Sequence, residues 1–400
     1  MPEAKTAFGI QHSAFRDVYS EPRSLNQKPL SISQITLSNF RNYGSLRLCV
    51  DGAPIVLTGA NGSGKTNLLE AISLLVPGRG LRHSSLSELQ NTAKAEPWAV
   101  AIELATNTGS LRIGTGRDNA VNDSEGERRL VHIDGKPTRG QSLLAEHIAM
   151  AWITPDMDRL LAEGVSVRRK FLDRLVYSFD PAHGGRVRVY EKAMRERLCL
   201  LREGRADALW LSALENEMAQ AAVAIAAARR HMIDCLRTAI AEGGEAFPRA
   251  EVDVRGTAED MLKNMPALPV EDALRTAFVR AREEDAMRGT CAVGAHRSDL
   301  RVRHCEKNCP AELCSTGEQK ALMIALMLAY VRLLSETRRM TPLFLLDDIA
   351  AHLDDFRREA LFEEILSIGA QVWFTGTDAE TFAPLTPYAQ ALQIENGCIA

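Results

Sequence analysis

No stretch of this 400-residue chain is apolar for long enough to cross a bilayer. The longest unbroken run, Ala321 to Val331, has 11 residues against the roughly 18 or more that a span needs. The first 30 residues carry Glu3, Lys5, Arg16, Asp17, Glu21 and Arg23 with no apolar segment between them, so a secretory leader is not expected. Neither sign of charge dominates: 48 basic and 52 acidic side chains leave −4, and any surface for nucleic acid has to be a local patch. The eight cysteines are scattered and form no paired C-x-x-C, which excludes a disulfide framework and favours reduced thiols. His304, Cys305, Cys309 and Cys314 have ligand chemistry but not zinc-knuckle spacing. Internal repeats and low-complexity tracts are absent too. A soluble, cytoplasmic, folded chain of two or three units is expected.

What is present reads as an α/β domain interrupted by helices. Ser31 to Leu37, Ser45 to Val50 and Ala53 to Thr58 are β-prone runs. The third passes through a glycine loop into a helical pattern from Asn67. Strand-like runs return at Trp98 to Leu104, Leu111 to Ile113 and Leu130 to Ile133, with Asp134-Gly135 as a hairpin turn and the polar stretch 118–126 as a loop. Val187 to Glu242 predicts two long helices broken near Gly204 and ended by Gly243-Gly244. In the second, Leu211, Leu214, Met218, Ala221, Ile225, Ala228, Met232, Cys235 and Ala239 form a heptad seam, facing Val187, Tyr190, Met194, Leu198 and Leu201 of the first in an antiparallel hairpin. Leu343 to Leu346 and Gln371 to Phe374 predict buried parallel strands. The expected division is an N-terminal extension over 1–30, the first part of a head over 31–180, an inserted helical arm lobe over 181–288, and the rest of the head over 289–400.

Three segments carry chemistry. Gly59, Ala60, Asn61, Gly62, Ser63, Gly64, Lys65 and Thr66 satisfy G-x-x-x-x-G-K-[ST] between a strand and a helix. Such a loop turns successive N–H groups toward a β-phosphate, Lys65 reaches the β and γ oxygens, and the Thr66 hydroxyl serves Mg²⁺. Leu343 to Leu346 then leads into Asp347 and Asp348, which places Asp347 on the metal side and Asp348 as candidate general base for the attacking water. The third segment, Cys314 to Lys320, contains Ser315, Gly317 and Glu318 at the start of an apolar helix, a second anion-attracting turn.

A serine, a glycine and Glu318 just upstream of the acidic strand resemble the signature of the ABC and SMC class of ATPases. Within that class the chain is similar to the RecF family of bacterial recombinational-repair proteins. The resemblance rests on Leu37 to Tyr43, the loop Gly59 to Asn67, Pro77 to Leu81, Pro155-Asp156 with Arg168-Arg169 and Phe171 to Asp173, Gly294 to Asp299, Ser315 to Lys320, and Leu345 to Asp354. It implies an ATPase head with an inserted coiled-coil-like arm, and ATP with Mg²⁺ sandwiched between two copies. Ser315 and Gly317 would meet the γ-phosphate held by the other copy, Asp354 would lie on the D-loop across the interface, and Asn67 and Thr377 (or Thr375) would border the nucleotide. It further implies a weak DNA-stimulated ATPase acting as a switch on double-stranded and gapped DNA, with RecO and RecR as partners in RecA loading, replication-fork maintenance and SOS induction. Arg41, Arg79, Arg82, Arg112, Arg128 and Arg129 fall near head loops and are candidate DNA contacts. Two departures from the family pattern stand out: Ala295 and Ser298 within Gly294 to Asp299, and Leu198 after Arg197. A transporter subunit is disfavoured by the separation of 249 positions from Thr66 to Ser315 and by Thr375-Gly376-Thr377 at the switch, and a fused nuclease by the 52 residues after Asp348.

Overall fold

The computed structural model describes residues 30–91, 96–106, 109–117, 128–138, 140–204, 207–338 and 340–399. The expected N-terminal extension, apart from Leu30, and the polar loop at 118–126 lie outside the described residues.

Three sheets organise the chain. The first is antiparallel, in the order β2 (Tyr43–Cys49), β1 (Ser31–Phe40), β4 (Ala99–Thr106), β5 (Gly109–Arg117), β6 (Arg129–Ile133) and β7 (Lys136–Pro137). Asp134 and Gly135, both at positive φ, make the tight turn between β6 and β7 that their pairing predicts. The second sheet runs β15 (Cys398–Ile399), β14 (Gln390–Glu395), β3 (Ile55–Thr58), β13 (Val372–Gly376), β12 (Leu343–Leu346) and β8 (Met150–Ile153), and every pair from β14 to β8 is parallel. Its central strands are buried on both faces, as unbroken apolar runs require. Gln371 links the two sheets by bonding both the N–H and the carbonyl of Ile32, at 2.8 and 3.0 Å.

The third sheet, β9 (Ala250–Arg255), β10 (Asp299–His304) and β11 (Cys309–Pro310), pairs residues from either side of a helical excursion. Helix α1 (Lys65–Ser73) follows the glycine loop, and α2 (Val165–Tyr177) leads into the arm. The arm is a hairpin of α3 (His183–Glu203), ended by Gly204 at positive φ, and α4 (Ala208–Ala241), N-capped by Asp207. Its flank is covered by α5 (Ala267–Arg280) and α6 (Arg282–Arg288); α7 (Thr316–Thr337) and α8 (Asp355–Ile368) return to the parallel sheet. Apolar side chains form two cores. Leu214, Met218 and Ile225 of α4 pack with Tyr190, Leu274 and Phe278 in the arm, while Met232, Ile233 and Leu236 belong to the core of the head. One helix therefore serves both, and the division falls at Arg229.

The heptad seam on α4 is buried apart from the half-buried Ala228 and Cys235, but α3 answers it with Tyr190, Ala193 and the charged Arg197 rather than an apolar stripe alone. Arg197 is fully enclosed and bonds Glu215, Asp285 and the Phe278 carbonyl at 2.9, 2.6 and 2.7 Å. At the junction of arm and head, Arg229 makes two hydrogen bonds to Asp173, at 2.8 and 2.9 Å, and His183 adds a third at 2.7 Å. Burial opposes charge on Asp173, yet the His183 and Arg229 contacts outweigh it and hold the carboxyl at about 2. Because the folded pKa is depressed, the stabilisation is present above the unfolded pKa and lost as pH falls toward 2.

Asp173→Ala leaves Arg229 buried with its principal partner gone and is expected to cost about 3 kcal/mol in chemical denaturation at pH 7. The loss should shrink when the same measurement is made below about pH 3; an equal loss at both pH values would remove the ion pair from the account.

Candidate nucleotide-binding site

The site begins where three parallel strands stop side by side. β13 lies between β3 and β12, with Gly376 opposite Thr58 and Phe374 opposite Leu346. Their C-terminal ends therefore bring the glycine loop, Thr375 and Asp347 together, at the edge where open parallel sheets bind ligands.

The loop after β3 requires glycine at two places. Gly59 has φ of 147° and a Cβ there would sit 2.3 Å from the Ile394 carbonyl oxygen; Gly64 has φ of 119° and a Cβ would sit 2.5 Å from Asn42 Nδ2. Ala60, Asn61 and Gly62 are exposed, whereas Ser63, Gly64 and Lys65 are buried. α1 starts directly from Gly64 with no acidic residue in its first turn, so its N-terminal dipole is left for an external anion. Lys65 Nζ folds back onto the carbonyls of Gly59 and Ala60 at 2.7 and 2.8 Å. Burial lowers its pKa while Asp348 and Asp347 work against that shift. Ser63 Oγ is buried without a hydrogen-bond partner. A loop held in a conformation only glycine takes at Gly59 and Gly64, an unanswered buried hydroxyl and a lysine held by carbonyls fit a polyphosphate.

Thr66 and Thr375 both donate to Asp347 Oδ1, at 2.9 and 2.7 Å. Burial still raises the Asp347 pKa, with the two hydroxyls pulling the other way. A hydroxyl and a carboxylate in contact are hard oxygen donors of the kind Mg²⁺ takes, and a cation would favour the ionised form that burial penalises. Asp348 is in the left-handed region at φ of 52°, its N–H donating to Thr375 Oγ1 at 2.9 Å. A non-glycine residue held there is a strained position of the sort found at functional sites. Thr377 lies exposed just past the end of β13.

Two residues that motif reading passed over support the loop. Tyr43 is fully buried and its hydroxyl donates to the Gly64 carbonyl at 3.0 Å. Asn42 donates to the Ser63 carbonyl at 3.1 Å and accepts from Asn67 at 2.8 Å. Both lie in the Leu37 to Tyr43 segment, which carries the family resemblance but in which the sequence assigns neither side chain a role. Glu70, with no exposure, holds Arg41 at 2.8 Å and Arg82 at 3.5 Å. Among the candidate DNA contacts, Arg41, Arg82 and Arg129 thus have internal partners, Arg129 bonding Thr115, the Gly78 carbonyl and Gln141, while Arg79, Arg112 and Arg128 are exposed.

The second anion-attracting turn is open to solvent. Ser315 caps α7 in a capping box, its side chain accepting from the Glu318 N–H and its own N–H donating to Glu318 at 2.8 Å. Lys307 pairs with Glu318 and, with the Ser315 bonds, brings its carboxyl down to about 2. Ser315 and Gly317 are exposed. Asp354, also exposed, caps α8 by accepting from the Arg357 N–H at 2.9 Å. Among the described residues no three His, Cys, Asp or Glu side chains converge as a metal site, and His304, Cys305, Cys309 and Cys314 form none.

Tyr43→Phe is expected to cost about 1 kcal/mol of stability and to weaken fluorescent-nucleotide binding severalfold, although the hydroxyl faces the loop's carbonyl and not the ligand. Unchanged nucleotide affinity would mean that the loop keeps its shape without this support.

A family model described as RecF/RecN/SMC N terminal domain matches residues 31–399. The DNA replication and repair protein RecF of Allorhizobium ampelinum is 45% identical over 368 residues, covering 92% of this chain and 97% of its own length. That of Agrobacterium fabrum is 44% identical over 373 residues, covering 92% and 98%. A solved structure of the recombination mediator protein RecF-ATPrS in the RecFOR pathway has a TM-score of 0.81 at 22% identity, over 93% of this chain and 98% of that one. The Smc head domain of Pyrococcus furiosus gives 0.52 at 14%, over 92% and 95%. The structural likenesses establish the expected fold, a P-loop ATPase head of the ABC and SMC type, and the sequence identities establish the relationship: the chain belongs to the RecF family.

Proposed function

We propose that this protein is an ATP-driven DNA-binding switch of recombinational repair, in which two copies close on shared nucleotide. The observation that carries the reading is a second anion-attracting turn, exposed to solvent and on a different helix from the glycine loop. The glycine loop is a complete phosphate cradle at the end of β3; the Ser315 turn faces solvent and its hydrogen bonds are local. A solvent-facing cap of this kind suits a γ-phosphate presented by a second copy, and Asp354, likewise exposed, is assigned to the same joining face. The family names support this direction: the relatives are called DNA replication and repair proteins, and one solved relative is described with ATP in the RecFOR pathway.

In this reading Gly59 to Asn67 wrap the phosphates, and Lys65 leaves its carbonyl partners to neutralise the β and γ oxygens. Thr66 and Asp347 would hold Mg²⁺, which would supply charge stabilisation for the transferring phosphoryl group. Thr375 fixes Asp347 and the backbone of Asp348 together, so that the Asp348 carboxylate orients water as general base. Thr377 borders the nucleotide from the exposed end of β13. A carboxylate one methylene shorter than Glu stands back from the water, which suits slow turnover. The parts over 31–180 and 289–400 act as head and the region over 181–288 supplies the arm, except that α4 beyond Arg229 and β9 pack into the core of the head. Duplex or gapped DNA is gripped through phosphates. Arg79, Lys170 and Arg174 all bear on His83, where burial and these three cations lower the imidazole pKa. That gathers positive charge near the candidate site. RecO, RecR and RecA are the partners the family implies, and the compartment is the cytoplasm.

Lys65→Met is expected to abolish ATP-dependent DNA binding. Ser315→Ala should bind nucleotide with near-normal affinity yet lose ATP-dependent dimerisation by about tenfold or more, and Asp348→Asn should accumulate the closed dimer; sedimentation with and without ATP on gapped DNA reads all three. DNA affinity should fall steeply with salt as counterions are released. Normal dimerisation of Ser315→Ala would overturn the shared-nucleotide arrangement.

A further inference from the structure

The signature helix begins beside an unexplained thiol pair. Cys314 directly precedes Ser315, and its Sγ lies 3.2 Å from Cys309 Sγ on β11. The two belong to one short excursion: β10 and β11 are antiparallel neighbours with His304 opposite Cys309, and the turn joining them carries Lys307, which pairs with Glu318 of the capping box. Cys314 is buried and Cys309 half-buried. The Cys314 carbonyl accepts from Gln319 Nε2 at 2.8 Å, so the residue is anchored to the first turn of α7.

We propose that Cys309 and Cys314 are a modification site, a dithiol that a peroxide converts to an intramolecular disulfide and that governs the signature turn. Cys309, the more accessible thiol, attacks one peroxide oxygen as its thiolate, giving a sulfenic acid and releasing water or an alcohol. Cys314 then attacks that sulfur; the S–S bond forms and the sulfenic oxygen leaves as water. Two thiols are oxidised by two electrons and one peroxide is reduced. Burial and the Cys309 contact raise the Cys314 pKa to about 11, which keeps it a thiol and leaves the first attack to the more accessible Cys309.

The consequence follows from what the pair joins. Bridging Cys309 to Cys314 ties β11, and with it the turn bearing Lys307, to the residue before Ser315. Ser315 and its N–H are already engaged by Glu318, and Glu318 by Lys307. The tie holds this self-capped arrangement and opposes the release of Ser315 toward a phosphate. This consequence rests on the dimer reading above; the oxidation itself does not.

The test treats the full-length protein with hydrogen peroxide, alkylates it under denaturing conditions and maps its peptides, then measures ATP-dependent dimerisation before and after dithiothreitol. A peptide lighter by two hydrogens that carries both Cys309 and Cys314, absent from Cys309→Ser and present in Cys305→Ser, is expected. Dimerisation of the oxidised protein should fall about tenfold and recover on reduction, with Cys309→Ser insensitive to peroxide. Cys309 and Cys314 both recovered in alkylated form, or bridged to Cys305 instead, would overturn the site. A mapped disulfide with unchanged dimerisation would overturn its control of the signature turn. If reduced protein fails to dimerise with ATP, the shared-nucleotide reading fails while the peptide map still decides the thiol pair.

Discussion

The side chain of Asp347 receives two hydroxyl donors on one oxygen, Thr66 from the helix after the glycine loop and Thr375 from the neighbouring strand. This contact depends on parallel registry across β3, β13 and β12, because a slip of one residue would turn Thr375 to the opposite face of the sheet. Thr375 also accepts from the Asp348 N–H, so one hydroxyl ties the Asp347 carboxylate to the Asp348 backbone. The strands that carry these ends are enclosed on both faces by apolar side chains, and the packing of the head fixes the spacing on which the site depends.

The arm is joined to that head by charge as well as by hydrocarbon. Buried ion pairs are weak evidence for stability, since desolvation offsets most of their attraction, but losing one partner is costly. Arg229, Asp173 and His183 connect α2, α3 and α4 at the point where the two cores meet. The same neighbourhood explains a departure from the family pattern. Ser298 donates to Glu259 Oε1 at 2.6 Å, and Glu259 has no exposure. A second carboxylate at 298 would face that buried anion, whereas a hydroxyl completes it.

Local patterns made much of this legible. The glycine loop is readable because its geometry is imposed by consecutive residues, and the hairpin at Asp134-Gly135 for the same reason. β12 is readable because a strand buried on both faces needs an unbroken apolar run. What escaped reading depends on partners distant in sequence. Arg197 sits in a helix whose apolar stripe predicts a hydrophobic residue, and only Glu215 and Asp285 make its burial tolerable. Tyr43 closes a segment that the resemblance marks, but its support of the loop shows only when Gly64 is brought to its hydroxyl. Thr375 is readable only as an alternative to Thr377 beside the nucleotide; its bond to Asp347 comes from the strand order. The arm's edge was similarly hidden: β9 pairs with β10 although more than 40 residues separate them, and no local signal announces that pairing.

The state of the Ser315 turn bears on how such a switch avoids closing without nucleotide. A bare helix N-terminus would be free to accept any anion, but here the cap is satisfied from within by Glu318, and Glu318 by Lys307. Undoing a serine cap costs about 1 kcal/mol, and the Glu318 contacts add to that threshold. In the proposed dimer a γ-phosphate, with more negative charge and more acceptor oxygens than one carboxylate, would displace Glu318 where weaker anions do not. Lys307 would then lose its carboxylate partner and be free to meet the incoming charge itself. On that proposal the turn discriminates by the strength of the anion offered to it, and the internal cap that keeps it closed in the single chain would supply a cation once it opens.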